Sequence, residues 1–154
     1  MKMRLRRIAL WFIHQYFLAT RGMTFGVRIA CFDGEGRVFL VRHTYVPGWH
    51  LPGGGVERGE TAEQAAHKEI REEGKLEAIS PLQLVSVNFQ NRVSNKDHVM
   101  LYKATVRQTM PRAGDREIAE CGFFVLNALP EGTTQATRKR LDELAGKTAS
   151  DPYW

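Results

Sequence analysis

Residues 47–76 read PGWHLPGGGVERGETAEQAAHKEIREEGKL. The first nine are too dense in Pro and Gly for a helix or a strand. Thr61 with Gln64 three residues later forms a capping-box pattern, so the spacing predicts a helix over residues 62–73 that ends near Gly74. Within it Glu69, Glu72 and Glu73 stand at i, i+3, i+4, and at 100° per residue they share one face. Ala62, Ala65 and Ala66 fall on that same face, whereas Glu63, His67, Lys68 and Arg71 point to the solvent side. Carboxylates therefore occupy the packing stripe, the reverse of an ordinary amphipathic helix.

Like charges at i, i+4 cost roughly 0.2 to 0.5 kcal/mol, and acids near a helix C-terminus oppose its dipole. A compensating positive charge is expected, and hard divalent cations take carboxylate oxygens. The same acids also fit a solvated helix end, partly neutralised by Lys68 and Arg71. The loop ahead of the helix favours a ligand, because Gly53, Gly54 and Gly55 let the backbone approach one without Cβ obstruction. It is not a P-loop, since no Gly-Lys-Ser/Thr follows, and not a dinucleotide fingerprint, since Arg58 stands where a third glycine is needed.

Outward from this stretch, residues 24–32 and 37–43 are rich in β-branched and aromatic residues and flank Asp33-Gly34-Glu35-Gly36, a hairpin signal. Strand-like runs follow at 82–93 and 98–106, then a polar loop at 107–117 and a short strand near 121–126. A last helix is capped by Thr133 or Thr134. Strands outnumber helices and surround the central one, which predicts an α+β fold with a mixed central sheet covered by helices.

A chain of 154 residues with 43% hydrophobic and 25% charged residues suits one folded unit and excludes disorder, collagen and a disulfide scaffold. Cys31 and Cys121 lie far apart in apolar surroundings without metal-ligand spacing, which reads as two buried thiols in a reducing, cytoplasmic setting. The 22 basic against 17 acidic residues give +5, a balance that suits anionic partners. Four of those basic residues, Lys2, Arg4, Arg6 and Arg7, precede the apolar run from Ile8 to Ile13. The reading is an N-terminal amphipathic helix over residues 1–20 ahead of a domain over 21–154. The helix is too short to span a bilayer and lacks a cleavage site, and its aromatics suit packing, a homodimer contact or a membrane surface.

Gly54, Glu60 and the run Lys68-Glu69-Ile70-Arg71-Glu72-Glu73 resemble the Nudix box, G-x5-E-x7-R-E-U-x-E-E-x-G-U with U aliphatic, across residues 54–76. Gly48 to Gly55 upstream and Phe123 to Pro130 downstream extend the likeness over about residues 24–145. Two positions depart from it. Lys68 replaces the usual arginine and loses its planar fork. Gly74-Lys75 stands where x-Gly is expected, with Gly74 expected to supply the left-handed cap.

The resemblance implies a Nudix-like α/β/α sandwich and a pyrophosphohydrolase dependent on Mg²⁺ or Mn²⁺. Glu69, Glu72 and Glu73 would hold the metal with the Gly54 carbonyl, and Glu60 would orient the helix through Lys68. Glu72 and Glu73 are also catalytic candidates. The base in this family lies in the box or on a distal loop, so Glu120 is the preferred distal acid, ahead of Glu117 and Asp115. Arg28, Arg42, His43, Arg92, Lys96 and His98 lie on or beside strands and are candidates for contacting substrate. Trp49 and Tyr45 could stack on a base, although packing anchors are the commoner use of such aromatics. The implied substrate is a nucleoside diphosphate linked to another group, or a nucleoside triphosphate, with nucleic acid not required. An RNA 5′-end pyrophosphohydrolase and a non-turning-over nucleotide-binding module are the rival readings.

Overall fold

The computed structural model describes residues 11–17 and 19–154. The basic run at positions 2–7 and the first half of the expected N-terminal helix lie outside the described residues. Residues 11–17 and 19–20 are helical (α1), and Trp11, Phe12 and Tyr16 on it are exposed. Among the described residues no helix is long and apolar enough to cross a membrane.

Among the described residues seven strands follow: β1 Thr24–Phe32, β2 Val38–His43, β3 Trp49–His50, β4 Leu76–Ala78, β5 Gln83–Phe89, β6 Asp97–Gln108 and β7 Ile118–Phe124. The order is β3-β2-β1-β6-β4, with β5 pairing β6 and β7 pairing β2. Among these strand pairs only β1–β6 is parallel, and it runs in register from Thr24 opposite Asp97 to Phe32 opposite Thr105. The sheet is therefore mixed, as the sequence predicts.

Strand alternation divides the core in two. Val27, Ile29 and Cys31 of β1 with Phe39 and Val41 of β2 meet Ala65, Ala66 and Ile70 of α2 (Ala62–Gly74). Ala30, Val38 and Leu40 point the other way and meet Leu141 of α3 (Gln135–Leu144), with Trp49 and Phe124 packed alongside. Each helix thus buries its apolar stripe on one face, which is the α/β/α sandwich. Both cysteines are free; Cys31 is buried and Cys121 partly so.

The capping box at Thr61 and Gln64 is formed, and α3 is capped by Thr134. The C-terminus of α2 corrects one expectation. Gly74 is helical and buried, and the left-handed residue is Lys75, at φ 51° and ψ 41°. A Cβ on residue 74 would stand 2.7 Å from Leu76 Cγ and 3.1 Å from Phe39 Cε1. Gly74 is there for close packing, and the cap has not moved.

Candidate active site

The glycine loop lies along β1. Ile29 N–H donates to Pro52 O, Val27 N–H to Gly54 O at 2.8 Å, and Val56 N–H to Phe25 O. This brings Gly53 so near β1 that a Cβ there would strike the Val27 carbonyl and Arg28 Cα, and its φ of 153° suits glycine. Arg28, projecting from β1, fixes the loop from the other side by donating from Nη1 to Leu51 O and Gly53 O, both at 3.0 Å. These two bonds hold the loop against β1.

The α2 acids meet this loop unequally. Glu73 is buried and accepts from Gly53 N–H at 2.9 Å. Burial pushes its carboxyl up to about 7 against the Gly53 hydrogen bond, and the neighbouring Glu69 charge raises it further. Glu69 is half-buried against Gly54, whose missing Cβ makes the room: one built there would press into the Glu69 carboxylate. Burial raises the Glu69 carboxyl too. Glu72 is exposed at the rim, so two of the three acids turn inward and the third faces water.

Around them lies a cavity of about 250 Å³ lined by Glu69, Glu72, Glu73, Arg112, Asp115 and Glu117. The sequence reading did not single out Arg112. Its guanidinium donates to Glu73 O at 3.1 Å and pairs with Asp115 at 2.6 Å, tying the loop before β7 to the end of α2. Asp115 also accepts from Glu117 N–H and Ile118 N–H, and these bonds hold its carboxyl well below the usual range. Glu117 is thereby set at the cavity wall.

Glu120 is not brought to this cavity. β7 pairs Ile118 with His43 and Glu120 with Arg42, which leaves Ala119 unpaired in a bulge. The bulge reverses the alternation: Ile118 packs with the α2 face, while Glu120 forms an ion pair with Arg42 at 2.6 Å. Arg42 in turn stands 5.9 Å over the Trp49 ring. His43, a candidate for contacting substrate, is buried with Nε2 3.5 Å from Glu73 Oε1. Burial and then the Arg28 charge bring its imidazole down to about 4, so at neutral pH this contact joins a neutral ring to a carboxyl. Tyr45 is exposed beside it, with ring centroids 5.2 Å apart. Arg92 and Lys96 are exposed beyond β5, and His98 packs between Phe25 and Phe89. Neither Arg92, Lys96 nor His98 lines the acidic cavity.

On the outer side of α2, Lys68 Nζ lies 3.2 Å from Glu60 Oε1 and 3.4 Å from Glu57 Oε1. Glu60 also accepts from Glu57 N–H at 3.0 Å. Lys68 makes two point contacts in place of one bidentate fork.

The NUDIX domain family model matches residues 23–144. The chain belongs to the Nudix family. An RNA pyrophosphohydrolase from Gluconobacter oxydans is 45% identical over 49 residues, which is 30% of this chain and 29% of that protein. The chain therefore spans under a third of that relative's length. A MutT NUDIX hydrolase from Burkholderia pseudomallei is 27% identical with a TM-score of 0.62, covering 79% of this chain and 97% of that one. An ADP-ribose pyrophosphatase from Streptococcus suis shares the fold at 20% identity and a TM-score of 0.59, covering 85% and 96%.

The acids of this Nudix domain suit a hard divalent cation. Glu73 is a buried carboxyl whose ionisation lacks a strong partner, Glu69 sits in a Cβ-free cradle, and all donors are oxygen. Among the described residues no three His, Cys, Asp or Glu groups already stand as a formed metal centre. The Gly54 carbonyl already accepts from Val27, so only its second lone pair is open to a ligand.

Proposed function

We propose that this Nudix domain is a hydrolase of the phosphoanhydride bond in nucleotides, acting on a nucleoside diphosphate linked to another group or on a nucleoside triphosphate, in the cytoplasm. The observation that carries the reading is the pair Glu69 and Glu73, both turned in against Gly53 and Gly54 beside a cavity with a further acid, Glu117.

Once ionised, two inward carboxylates repel a phosphate by themselves, so they act through Mg²⁺ or Mn²⁺. Glu69, Glu72 and Glu73 would hold that ion. When bound it supplies neutralisation of the pyrophosphate charge and acidification of water. The chain's own residues do the rest. Gly53 N–H fixes the Glu73 carboxylate, Arg28 fixes the loop, and the Lys68–Glu60 pair holds the outer side of α2 in place. Glu117, kept at the cavity wall by the Arg112–Asp115 pair, is the acid best placed to take a proton from water.

The test is a substrate panel with purified protein and Mg²⁺ or Mn²⁺: nucleoside triphosphates, nucleoside diphosphates linked to sugars or ribose, and a 5′-triphosphorylated RNA oligonucleotide. Release of phosphate, pyrophosphate or a nucleotide is expected, with loss of at least about a hundredfold in Glu73→Gln, the cost typical of removing one preorganised charged group. The RNA arm follows from the Gluconobacter relative's name and the +5 charge, and preference for it would show as steep salt dependence. Unchanged turnover in both Glu69→Gln and Glu73→Gln would sink the assignment. Tight nucleotide binding without turnover at any metal concentration would make the domain a binding module.

A further inference from the structure

The surplus of five positive charges is not spread over the chain. Lys2, Arg4, Arg6, Arg7 and Arg21 precede β1, and the first acidic residue is Asp33. Residues 24–154 hold the remaining 17 basic residues and all 17 acidic ones, so the Nudix domain is formally neutral and the segment ahead of it carries the whole +5. The same segment carries uncovered aromatic side chains. Every described residue of α1 is exposed, and Trp11, Phe12 and Tyr16 are each more than half so. Apolar side chains left bare together in this way mark a surface that meets something other than water.

The breadth of the apolar arc says what kind of surface fits. At 100° per residue Trp11, Phe12, Ile13, Tyr16 and Phe17 span about 240° of the helix circumference. A second helix covers a narrow seam, so a second copy docking here would leave most of that arc wet. A fluid hydrocarbon layer closes around all of it. The rings of Trp11 and Phe12 meet edge to face with centroids 4.9 Å apart, and those of Tyr16 and Phe17 stand 5.8 Å apart. Indole and phenol, each with an apolar body and a polar tip, suit the headgroup boundary of a bilayer. From residue 11 to residue 20 the helix rises about 15 Å against about 30 Å of hydrocarbon, so it engages one leaflet only.

The cations stand where such a contact needs them. The Arg21 guanidinium carbon lies 4.1 Å over the Phe17 ring, and Arg21 N–H donates to Phe17 O at 2.8 Å, which folds one positive charge against the aromatic end of α1. The other four, outside the described residues, precede Trp11 by four to nine positions in the sequence. Where α1 joins the sheet, Thr24 N–H donates to Lys96 O at 3.0 Å, which ties that junction to the turn carrying exposed Val93 and Lys96, and Met23 is exposed there as well. A nucleic acid would also be drawn by the charge. Leu5, Ile8, Leu10 and Ile13 offer a base neither a stacking face nor a hydrogen bond, however, and the cations gather at residues 2–7 instead of alternating with the aromatics, so lipid is the better match.

We propose that α1 and the basic run ahead of it form a docking surface for an anionic phospholipid bilayer. Trp11, Phe12, Ile13, Tyr16 and Phe17 enter the headgroup boundary of one leaflet, the five cations lie on its phosphates, and the neutral Nudix domain stays in water. Both signals are needed, because a short apolar segment or a basic cluster alone holds a protein only weakly. The proposal is independent of the hydrolase reading, and its test needs no substrate. The full 154-residue chain is mixed with vesicles of phosphatidylcholine and with vesicles that also contain phosphatidylglycerol, and the bound fraction is measured by co-sedimentation in low and high salt. Trp11→Ser/Phe12→Ser removes apolar bulk at constant charge, and Lys2→Gln/Arg4→Gln/Arg6→Gln/Arg7→Gln removes charge. The thermal midpoint of each variant is read alongside.

The parent should bind the phosphatidylglycerol vesicles at least about tenfold more tightly than the phosphatidylcholine ones, and high salt should shrink the difference. Each lysine or arginine near an anionic surface strengthens binding about fivefold, so the variant with four glutamines should lose at least about a hundredfold on the anionic vesicles. Trp11→Ser/Phe12→Ser should lose at least about tenfold there with its midpoint unmoved, because both side chains are exposed. Absence of parent binding to the anionic vesicles would overturn the proposal, as would parent-level binding in both variants. A dimer seen by sedimentation velocity, or capture of a single-stranded RNA oligonucleotide, that is lost in Trp11→Ser/Phe12→Ser while vesicles are ignored would give the surface to a second copy or to nucleic acid, and either result refutes the lipid assignment. If Trp11→Ser/Phe12→Ser melts below the assay temperature, the aromatics are covered by the chain itself and the proposal fails.

Discussion

Glu73 and His43 touch each other, and burial drives both towards their neutral forms. Glu73 is held at about 7 against an ordinary 4.5, and His43 at about 4 against 6.5. Below pH 4.5 the Glu73 carboxyl is neutral in the folded and unfolded chain alike. As pH rises from there to 7 the unfolded chain ionises first, so this residue's contribution to stability is lost with rising pH. His43 has the opposite sign: above pH 6.5 it is neutral in both states, and as pH falls towards 4 only the unfolded imidazole takes the proton, so stability is lost with falling pH. Each slope amounts to roughly 3 kcal/mol, and the two oppose one another between pH 4.5 and 6.5. In the metal-free protein the contributions of these two groups should therefore largely cancel across that window. Glu73→Gln should make the midpoint climb with pH there, and His43→Asn should make it fall. Thermal melts in chelator from pH 4.5 to 7.5 read both, and parallel profiles in all three proteins would refute the assignment of these two groups.

At the scale of elements, two local irregularities decide what the acids and the Nudix helix can do. The bulge at Ala119 aims Glu120 at Arg42 and leaves Glu117 at the cavity. Glu117→Gln should lower kcat at least about a hundredfold, the lower end of the range for a proton-transfer group. Glu120→Gln should stay within about threefold, and equal losses in both would remove the distinction in steady-state assays. The second irregularity is the end of α2. Lys75 adopts a left-handed conformation that favours glycine, a cost of about 1 kcal/mol for a residue with a Cβ. Lys75→Gly should raise the midpoint by about 2 to 4 °C. Gly74→Ala should lower stability by about 1 to 3 kcal/mol, because the added methyl overlaps Leu76 and Phe39. Denaturant melts of the two variants should move in opposite directions; if Gly74→Ala is neutral, the close-packing account of that glycine is wrong.

Across the whole molecule, what was legible in the sequence is what local spacing encodes. The 3.6-residue period put Glu69 and Glu73 on the buried stripe, the capping box fixed the start of α2, and β-branched and aromatic content around the Asp33–Gly36 turn found β1 and β2. Strands β3 and β4 escaped because two and three residues carry no period. Arg112 and Arg140 escaped, and Arg28 was singled out without its loop contacts, for another reason: each is defined by carbonyls far along the chain, and a lone arginine gives no sign of which carbonyl it will meet. The +5 net charge was the least informative feature, since the acidic groove is locally opposite in sign. That opposition yields a test of the whole fold's coupling to metal. A ligand bound only by the folded state stabilises by about 2.7 kcal/mol at a hundredfold excess over its Kd, or about 5 to 10 °C in the midpoint of a domain this size. Binding needs Glu73 and Glu69 ionised, so the rise on adding Mg²⁺ to chelator-treated protein should be larger at pH 8 than at pH 5.5. Glu73→Gln should remove the rise at both pH values, while Glu63→Gln, on the exposed side of α2, should keep it. An equal rise in parent and Glu73→Gln would place the ion elsewhere than between the Nudix helix and the glycine loop.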